Sequence, residues 1–166
     1  ISLIGHGASG KTTLAEAMLF HMKAVERLGR VDEGTSASDF LKEEIERKGS
    51  VSAALLTADH KGKKYNFLDT PGFSDFIGEV NGALRVSDTA MVVVHGTSGV
   101  EVVTEQVWEF CNVENVPRVI FIQGGFQFFH LRPELFGEAA EKHIAKFLIS
   151  AEATQKVGMV EIITKR

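Results

Sequence analysis

The segment Gly5-His6-Gly7-Ala8-Ser9-Gly10-Lys11-Thr12 sets glycines, a lysine and a hydroxyl in the order G-x-x-x-x-G-K-[ST], the pattern of a loop that cradles phosphate. Each residue type has its reason. Glycines let successive backbone N–H groups fold into a nest that converges on phosphate oxygens. A helix opening at Lys11 turns its positive dipole end toward the same anion. Lys11 would then reach the β- and γ-phosphates of a nucleoside triphosphate, and the Thr12 hydroxyl would bind Mg²⁺. The candidate nucleotide contacts are His6, Gly7, Ala8, Ser9, Gly10, Lys11, Thr12 and Thr13. A second group is Asp69-Thr70-Pro71-Gly72. Asp69 closes an apolar stretch, and a carboxylate at a strand end beside a phosphate loop is placed to hold Mg²⁺, usually through water. Gly72 offers an unobstructed N–H where a γ-phosphate would lie. D-x-P-G alone is also a common turn signature, but next to a phosphate loop the ligand reading dominates. Lys11, Asp69 and Gly72 are therefore the candidate catalytic residues, with Thr12 and Asp69 as candidate metal holders.

Such groups need strands that end in open loops. Ile1–Ile4 is a short apolar run ending at Gly5, as in a buried parallel strand. Lys11–Leu28 reads as a helix with Leu14, Met18, Met22 and Val25 on one face and Gly29 as its stop. Gly29–Gly49 is polar and weakly patterned, which predicts a functional or mobile loop. Val51–Thr57 and Lys63–Leu68 read as an antiparallel hairpin around Asp59-His60-Lys61-Gly62. Ser74–Val86 reads as a helix capped by Ser74, with Phe76, Ile77, Val80 and Leu84 facing inward. Ala90–Val94 and Arg118–Ile122 read as buried strands, with a helix over Glu101–Cys111 between them. This order predicts an α/β fold, a three-layer sandwich around a mostly parallel sheet, with ligands outside the carboxyl ends of the strands.

Composition narrows the class. The chain has 166 residues, the length of one domain, with 44% hydrophobic and 24% charged residues, a globular balance. A net charge of −4 argues against direct nucleic-acid binding by this domain alone. No apolar run reaches the ~20 residues that span a bilayer, so no membrane association is expected. The single cysteine, Cys111, forms no internal disulfide and suits a reducing, cytoplasmic location. The opening at Ile1 is expected to lie inside a longer chain.

Three stretches together resemble elongation factor G, most nearly its elongation-factor-G-like bacterial paralogues: Gly5-His6-Gly7 with Gly10-Lys11-Thr12-Thr13, then Asp69 through Phe76, then Val116-Pro117-Arg118-Val119-Ile120. The resemblance covers roughly Ile1–Ile122. It implies a GTPase domain that takes GTP/GDP and Mg²⁺, works as a switch and is stimulated by the ribosome. Gly29–Gly49 would be switch I and Asp69 to about Glu79 switch II. Ser50 falls where the family has its Mg²⁺-binding threonine, and a serine keeps that hydroxyl. Lys146–Ile149 followed by Ser150-Ala151 resembles the family's guanine-loop S-A motif, which makes Ser150 and Ala151 candidate base contacts, with Val157–Thr164 opening the last helix.

Two departures stand out. Phe73 occupies the place of the family's water-orienting histidine, and its side chain offers no conventional hydrogen-bonding group. His6 is expected to pack or cap within the phosphate loop rather than replace it. Nor does the chain contain N-K-x-D, the family's guanine-reading motif: Ile122 is followed by Gln123-Gly124-Gly125-Phe126. Gln123–Ile149 is also too short for the family's insert. The expectation is one GTP-binding domain fragment over residues 1–166, with an omitted segment or junction after about Ile122. A fusion there, or a variant with altered base recognition, are the other readings. Two functional rivals stay open. An ATP-using P-loop protein is favoured by the missing N-K-x-D, and a nucleotide-sensing module with little turnover is favoured by Phe73.

Overall fold

The structure is a computed structural model that describes residues 1–123 and the short strand at 159–160. In chain order the elements are β1 (Ser2–Ile4), α1 (Lys11–His21), α2 (Lys42–Arg47), β2 (Ala54–His60), β3 (Lys63–Asp69), a 3₁₀ turn (Ser74–Phe76), α3 (Ile77–Arg85), β4 (Ala90–His95), α4 (Val102–Val113), β5 (Arg118–Gln123) and β6 (Met159–Val160). The strands form one sheet in the order β2-β3-β1-β4-β5-β6. β1 pairs in parallel with β3 and β4, and β4 with β5, while β2 and β6 add antiparallel edges. The expected mixed, mostly parallel α/β sandwich is therefore the observed fold.

Alternation along the strands divides the core into two layers. Leu3 faces Ala15 and Leu19 of α1, together with Leu56, Ala58 and Phe67. Ile4 faces the opposite way, onto Val80 and Leu84 of α3 and Val107, Trp108 and Cys111 of α4. β4 divides likewise, with Ala90, Val92 and Val94 on the α3–α4 side and Met91 on the α1 side. β1 lies centrally, and the chain leaves it to build β3 on one side and β4 on the other, which makes its carboxyl end a topological switch point.

Several local expectations are corrected. α1 stops at His21, well short of Leu28 and Gly29. Lys23 adopts a left-handed φ of 60°, and the N–H groups of Lys23 and Ala24 reach back to the carbonyls of Phe20 and Leu19 at 3.0 and 2.9 Å. That is a Schellman stop built without glycine. The buried face of α1 runs through Ala15 and Leu19 rather than through Leu14, although Met18, Met22 and Val25 pack against it. The polar stretch Gly29–Gly49 contains a short helix, α2. The hairpin turn is only Lys61-Gly62, both with positive φ (51° and 75°), as a two-residue type I′ turn requires. Asp59 and His60 belong to β2. Ser74 makes no capping hydrogen bond, since α3 begins only at Ile77 after the 3₁₀ turn. Within the segment expected to open a last helix, Met159–Val160 instead pairs antiparallel with β5.

Leu84 is fully buried between α3 and the sheet. Leu84→Ala is expected to lower unfolding free energy by about 2–5 kcal/mol, the range for truncating a core leucine, as measured by urea denaturation.

Candidate functional site

The loop from β1 to α1 is shaped by glycines. Gly5 and Gly10 take φ of 143° and 92°, outside what side-chain-bearing residues adopt with ease. A Cβ on Gly10 would also lie 2.6 Å from Nε2 of Gln123 at the end of β5. Inside this loop the Lys11 ammonium is buried. It donates to the carbonyls of His6 (2.7 Å) and Gly5 (3.1 Å) and lies 3.5 Å from the Ser9 hydroxyl. Ser9 N–H in turn bonds the His6 carbonyl at 3.3 Å. Burial lowers the Lys11 pKa to about 8, with the Asp69 charge opposing the shift. Ala8 takes a left-handed φ of 58°, and Thr13 lies exposed on the first turn of α1.

The His6 ring is buried. Its Nδ1 lies 3.1 Å from the Thr104 hydroxyl and its Nε2 3.1 Å from a Glu101 carboxylate oxygen, so both nitrogens are engaged by α4 and the residue before it. Burial holds its pKa below the ordinary histidine value, against the pull of Glu101.

Sheet register brings Asp69 to this loop: it pairs with Leu3 of β1, and the next residue, Thr70, donates to the Leu3 carbonyl at 2.7 Å. The Thr12 hydroxyl donates to Asp69 Oδ2 at 2.7 Å and lies 3.4 Å from the Ser50 hydroxyl. Thr12, Ser50 and Asp69, far apart in sequence, thus converge. Asp69 Oδ1 is buried with no well-formed hydrogen bond, the buried Ser38 hydroxyl facing the same carboxylate being its one further neighbouring donor. A buried, unsatisfied carboxylate oxygen is costly, and desolvation raises the Asp69 pKa to about 6 despite the Thr12 hydrogen bond and the Lys11 charge. Two hydroxyls beside an under-satisfied carboxylate are hard oxygen donors of the kind Mg²⁺ takes, so these residues fit that ion. No cluster of three or more His, Cys, Asp or Glu suited to a metal occurs among the described residues, and the fit rests on hydroxyls and a single acid.

Gly72 packs directly on the loop: a Cβ there would lie 2.6 Å from the Gly7 nitrogen. Around these groups lies a cavity of about 310 Å³ bordered by Gly10, Lys11, Thr12, Ser50, Gly72 and Phe73. Phe73, a residue 47% exposed, lines it. Ser150 and Ala151 lie outside the described residues, as do the expected junction from Gly124 onward and the rest of the segment expected to form the last helix.

Three buried acids that the motifs did not single out organise the loop between α1 and β2. Asp39 accepts from the Ser50 hydroxyl at 2.7 Å and from Ser36 at 3.1 Å, so it orients one of the converging hydroxyls. Glu44 accepts from the backbone N–H groups of Leu41 (3.1 Å), Val51 (3.0 Å) and Ser52 (3.3 Å). Glu16 of α1 accepts from Gly29 N–H at 3.2 Å and from Ala37 N–H. The sequence signal for Asp39 was present, an acid among serines in a polar loop, but it had no motif to mark it.

Residues 1–123 match the protein family described as "Elongation factor Tu GTP binding domain". Over 122 residues the chain is 39% identical to an elongation factor G-like protein of Mycobacterium tuberculosis strain H37Rv, covering 74% of this chain and 17% of that protein. The elongation factor G-like protein of strain CDC 1551 gives the same figures. A crystal structure of a Thermus thermophilus protein superposes with a TM-score of 0.71 at 40% identity, over 73% of this chain and 18% of that one. The bacterial selenocysteine-specific elongation factor EF-Sec superposes at 0.60 over 97% of this chain and 24% of its own, with 18% identity, a likeness of fold. The chain thus spans about a sixth of the length of the curated relatives it matches (17%).

Two outcomes are expected. Lys11→Ala should weaken triphosphate binding by roughly 2–4 kcal/mol, the scale for removing one partner of a buried charge-assisted contact, as read by equilibrium titration. The second concerns pH in metal-free, nucleotide-free buffer. The folded Asp69 value of about 6 lies above the ordinary 3.8, so its contribution to stability is present below about pH 4 and lost as pH rises through 6. Lys11, lowered from 10.5 to about 8, contributes above pH 10.5 and loses that contribution as pH falls through 8. Denaturant titrations between about pH 4 and 6 should show wild type losing up to about 3 kcal/mol relative to Asp69→Asn.

Proposed function

The chain belongs to the elongation factor Tu GTP-binding domain family, and on that premise we propose that it is the GTP-hydrolysing switch domain of an elongation-factor-G-like protein, binding GTP and GDP with Mg²⁺ and acting on the ribosome in the cytoplasm. The observation that carries this reading is the convergence of Thr12, Ser50 and Asp69 beside the buried Lys11 ammonium. In this reading the loop N–H groups and the start of α1 receive the phosphates, and Lys11 offsets charge on the β- and γ-phosphoryl oxygens. Gly72, beside which no side chain fits against the loop, is the residue whose N–H would meet the γ-phosphate. Thr12, Ser50 and Asp69 are the residues that would hold Mg²⁺, which when bound neutralises phosphate charge. Asp39 positions Ser50 for that role.

Phe73 adds no proton acceptor or donor, so the attacking water is oriented by a group from outside this domain, and turnover without a stimulating partner is slow. The same residue favours a second reading, a nucleotide-sensing module with little hydrolysis of its own. The family match ends at residue 123, which supports placing a junction after about Ile122. No described helix is long and apolar enough to cross a membrane.

The full-length protein is expected to prefer GTP over ATP by at least roughly a hundredfold, because a pocket built to pair guanine leaves buried polar groups unmatched when adenine enters. A competition titration measures this, and comparable affinities would return the ATP-using alternative. Ribosome-stimulated against basal hydrolysis then separates the switch from the sensor.

A further inference from the structure

Phe73 lies between two glycines. A Cβ on Gly7, in the phosphate loop, would sit 3.1 Å from Cε1, 3.3 Å from Cζ and 3.4 Å from Cδ1 of its ring. A Cβ on Gly49, next to Ser50, would sit 3.2 Å from Cε2. The two glycines therefore flank opposite edges of one ring. Neither has a positive φ, so neither is glycine for the sake of backbone conformation. What their missing side chains provide is room. Two further ties bind the same two chain segments. The Arg47 guanidinium lies over the Phe76 ring, 5.6 Å from its centre, and Ala53 N–H donates to the Glu79 carboxylate at 3.0 Å. Residues 47–53 are thus fastened to residues 73–79 at three places, and only the Phe73 contact also reaches the phosphate loop.

We propose that Phe73 is a wedge: its ring fills a slot left by Gly7 and Gly49, pins residues 47–53 onto the phosphate loop, and sets how readily the mouth of the pocket opens. Phe73 is then a positioning residue, holding Ser50 over Thr12. Its ring closes a gap that a side chain at residue 7 or 49 would otherwise fill. A small polar residue at 73 would leave that gap to water. For the slot itself the proposal needs only the geometry; its consequence for nucleotide release rests on the reading of the pocket as a GTP site.

Trypsin supplies a direct readout, because Arg47 and Lys48 are exposed on the pinned segment, while Lys61 and Lys63 are exposed on the hairpin and serve as an internal control. In the full-length protein without nucleotide, Phe73→Ala should speed cleavage after Arg47 and Lys48 by roughly tenfold, since cleavage follows the local opening equilibrium. Cleavage at the hairpin lysines should be unchanged. Phe73→Leu should fall between. The slot predicts a particular coupling. With Phe73 in place, Gly7→Ala or Gly49→Ala alone is relieved by a shift of the ring toward the other edge. The two together cannot be relieved, so the double variant should open the segment by more than the product of its singles. In the Phe73→Ala background that excess should vanish. Equal effects of the two alanines with and without the ring, or unchanged cleavage in Phe73→Ala with the hairpin control intact, would overturn the wedge. Release of a fluorescent GDP from the same variants should quicken in the same order as cleavage. Coupled cleavage in a protein that binds no guanine nucleotide would leave the wedge standing and remove the GTP reading; GDP binding with cleavage indifferent to the ring would do the reverse.

Discussion

A buried lysine ammonium is the constraint around which this site is arranged. Lys11 lies inside a loop where its charge meets the carbonyls of Gly5 and His6 and, further off, the Asp69 carboxylate. Desolvating an ammonium is expensive unless it is well hydrogen-bonded, and that need dictates the loop. The carbonyls of residues 5 and 6 must turn inward, which asks for glycine at the positive φ of Gly5 and Gly10. Fixing the loop then fixes its neighbours: β3 must lie parallel to β1 in the register that sets Asp69 against Leu3, and the His6 ring must find partners, which Glu101 and Thr104 supply. Both Asp69 and Lys11 are pushed by burial toward their neutral forms. An arrangement that strains two opposite charges is well suited to an anionic ligand accompanied by a cation.

The loop between α1 and β2 meets a related demand by other means. It is long, has little regular structure, and lies against the site, so its backbone N–H groups need acceptors. Glu16, Glu44 and Asp39 are buried acids that take up donors from it. Charge-assisted hydrogen bonds of this kind are the stronger ones, and each carboxylate gathers several donors that lie apart in sequence. Such a loop is held by a few replaceable contacts rather than by a packed core. Contacts of that kind favour local opening over the opening of a packed core.

Much of this was legible in the residues alone, and the exceptions share a cause. The phosphate loop, the strand ending at Asp69 and the order of strands and helices are written in local patterns of glycine, apolar alternation and turn residues. The end of α1 was not, because the Schellman stop uses Lys23 in a left-handed conformation rather than Gly29. Asp39 was missed because its role depends on Ser50, which only the fold brings near. Ser74 has the residue type of a cap, yet the intervening 3₁₀ turn moves the start of α3 to Ile77. Met159–Val160 joins the sheet through pairing with β5, a long-range contact that no helical periodicity within Val157–Thr164 discloses.

The central claim is that Thr12, Ser50 and Asp69 form one magnesium-assisted triphosphate site with Lys11. The measurement that tests it most directly is GTP affinity of the full-length protein with excess Mg²⁺ and with a chelator, for wild type and for Thr12→Val. Wild type is expected to bind GTP at least roughly tenfold more tightly with Mg²⁺, and Thr12→Val to lose that gain while keeping the metal-independent affinity, on the scale by which metal sites respond to disturbed ligand shells. Affinity that is indifferent to Mg²⁺ in wild type, or a Mg²⁺ gain that survives intact in Thr12→Val, would contradict the account.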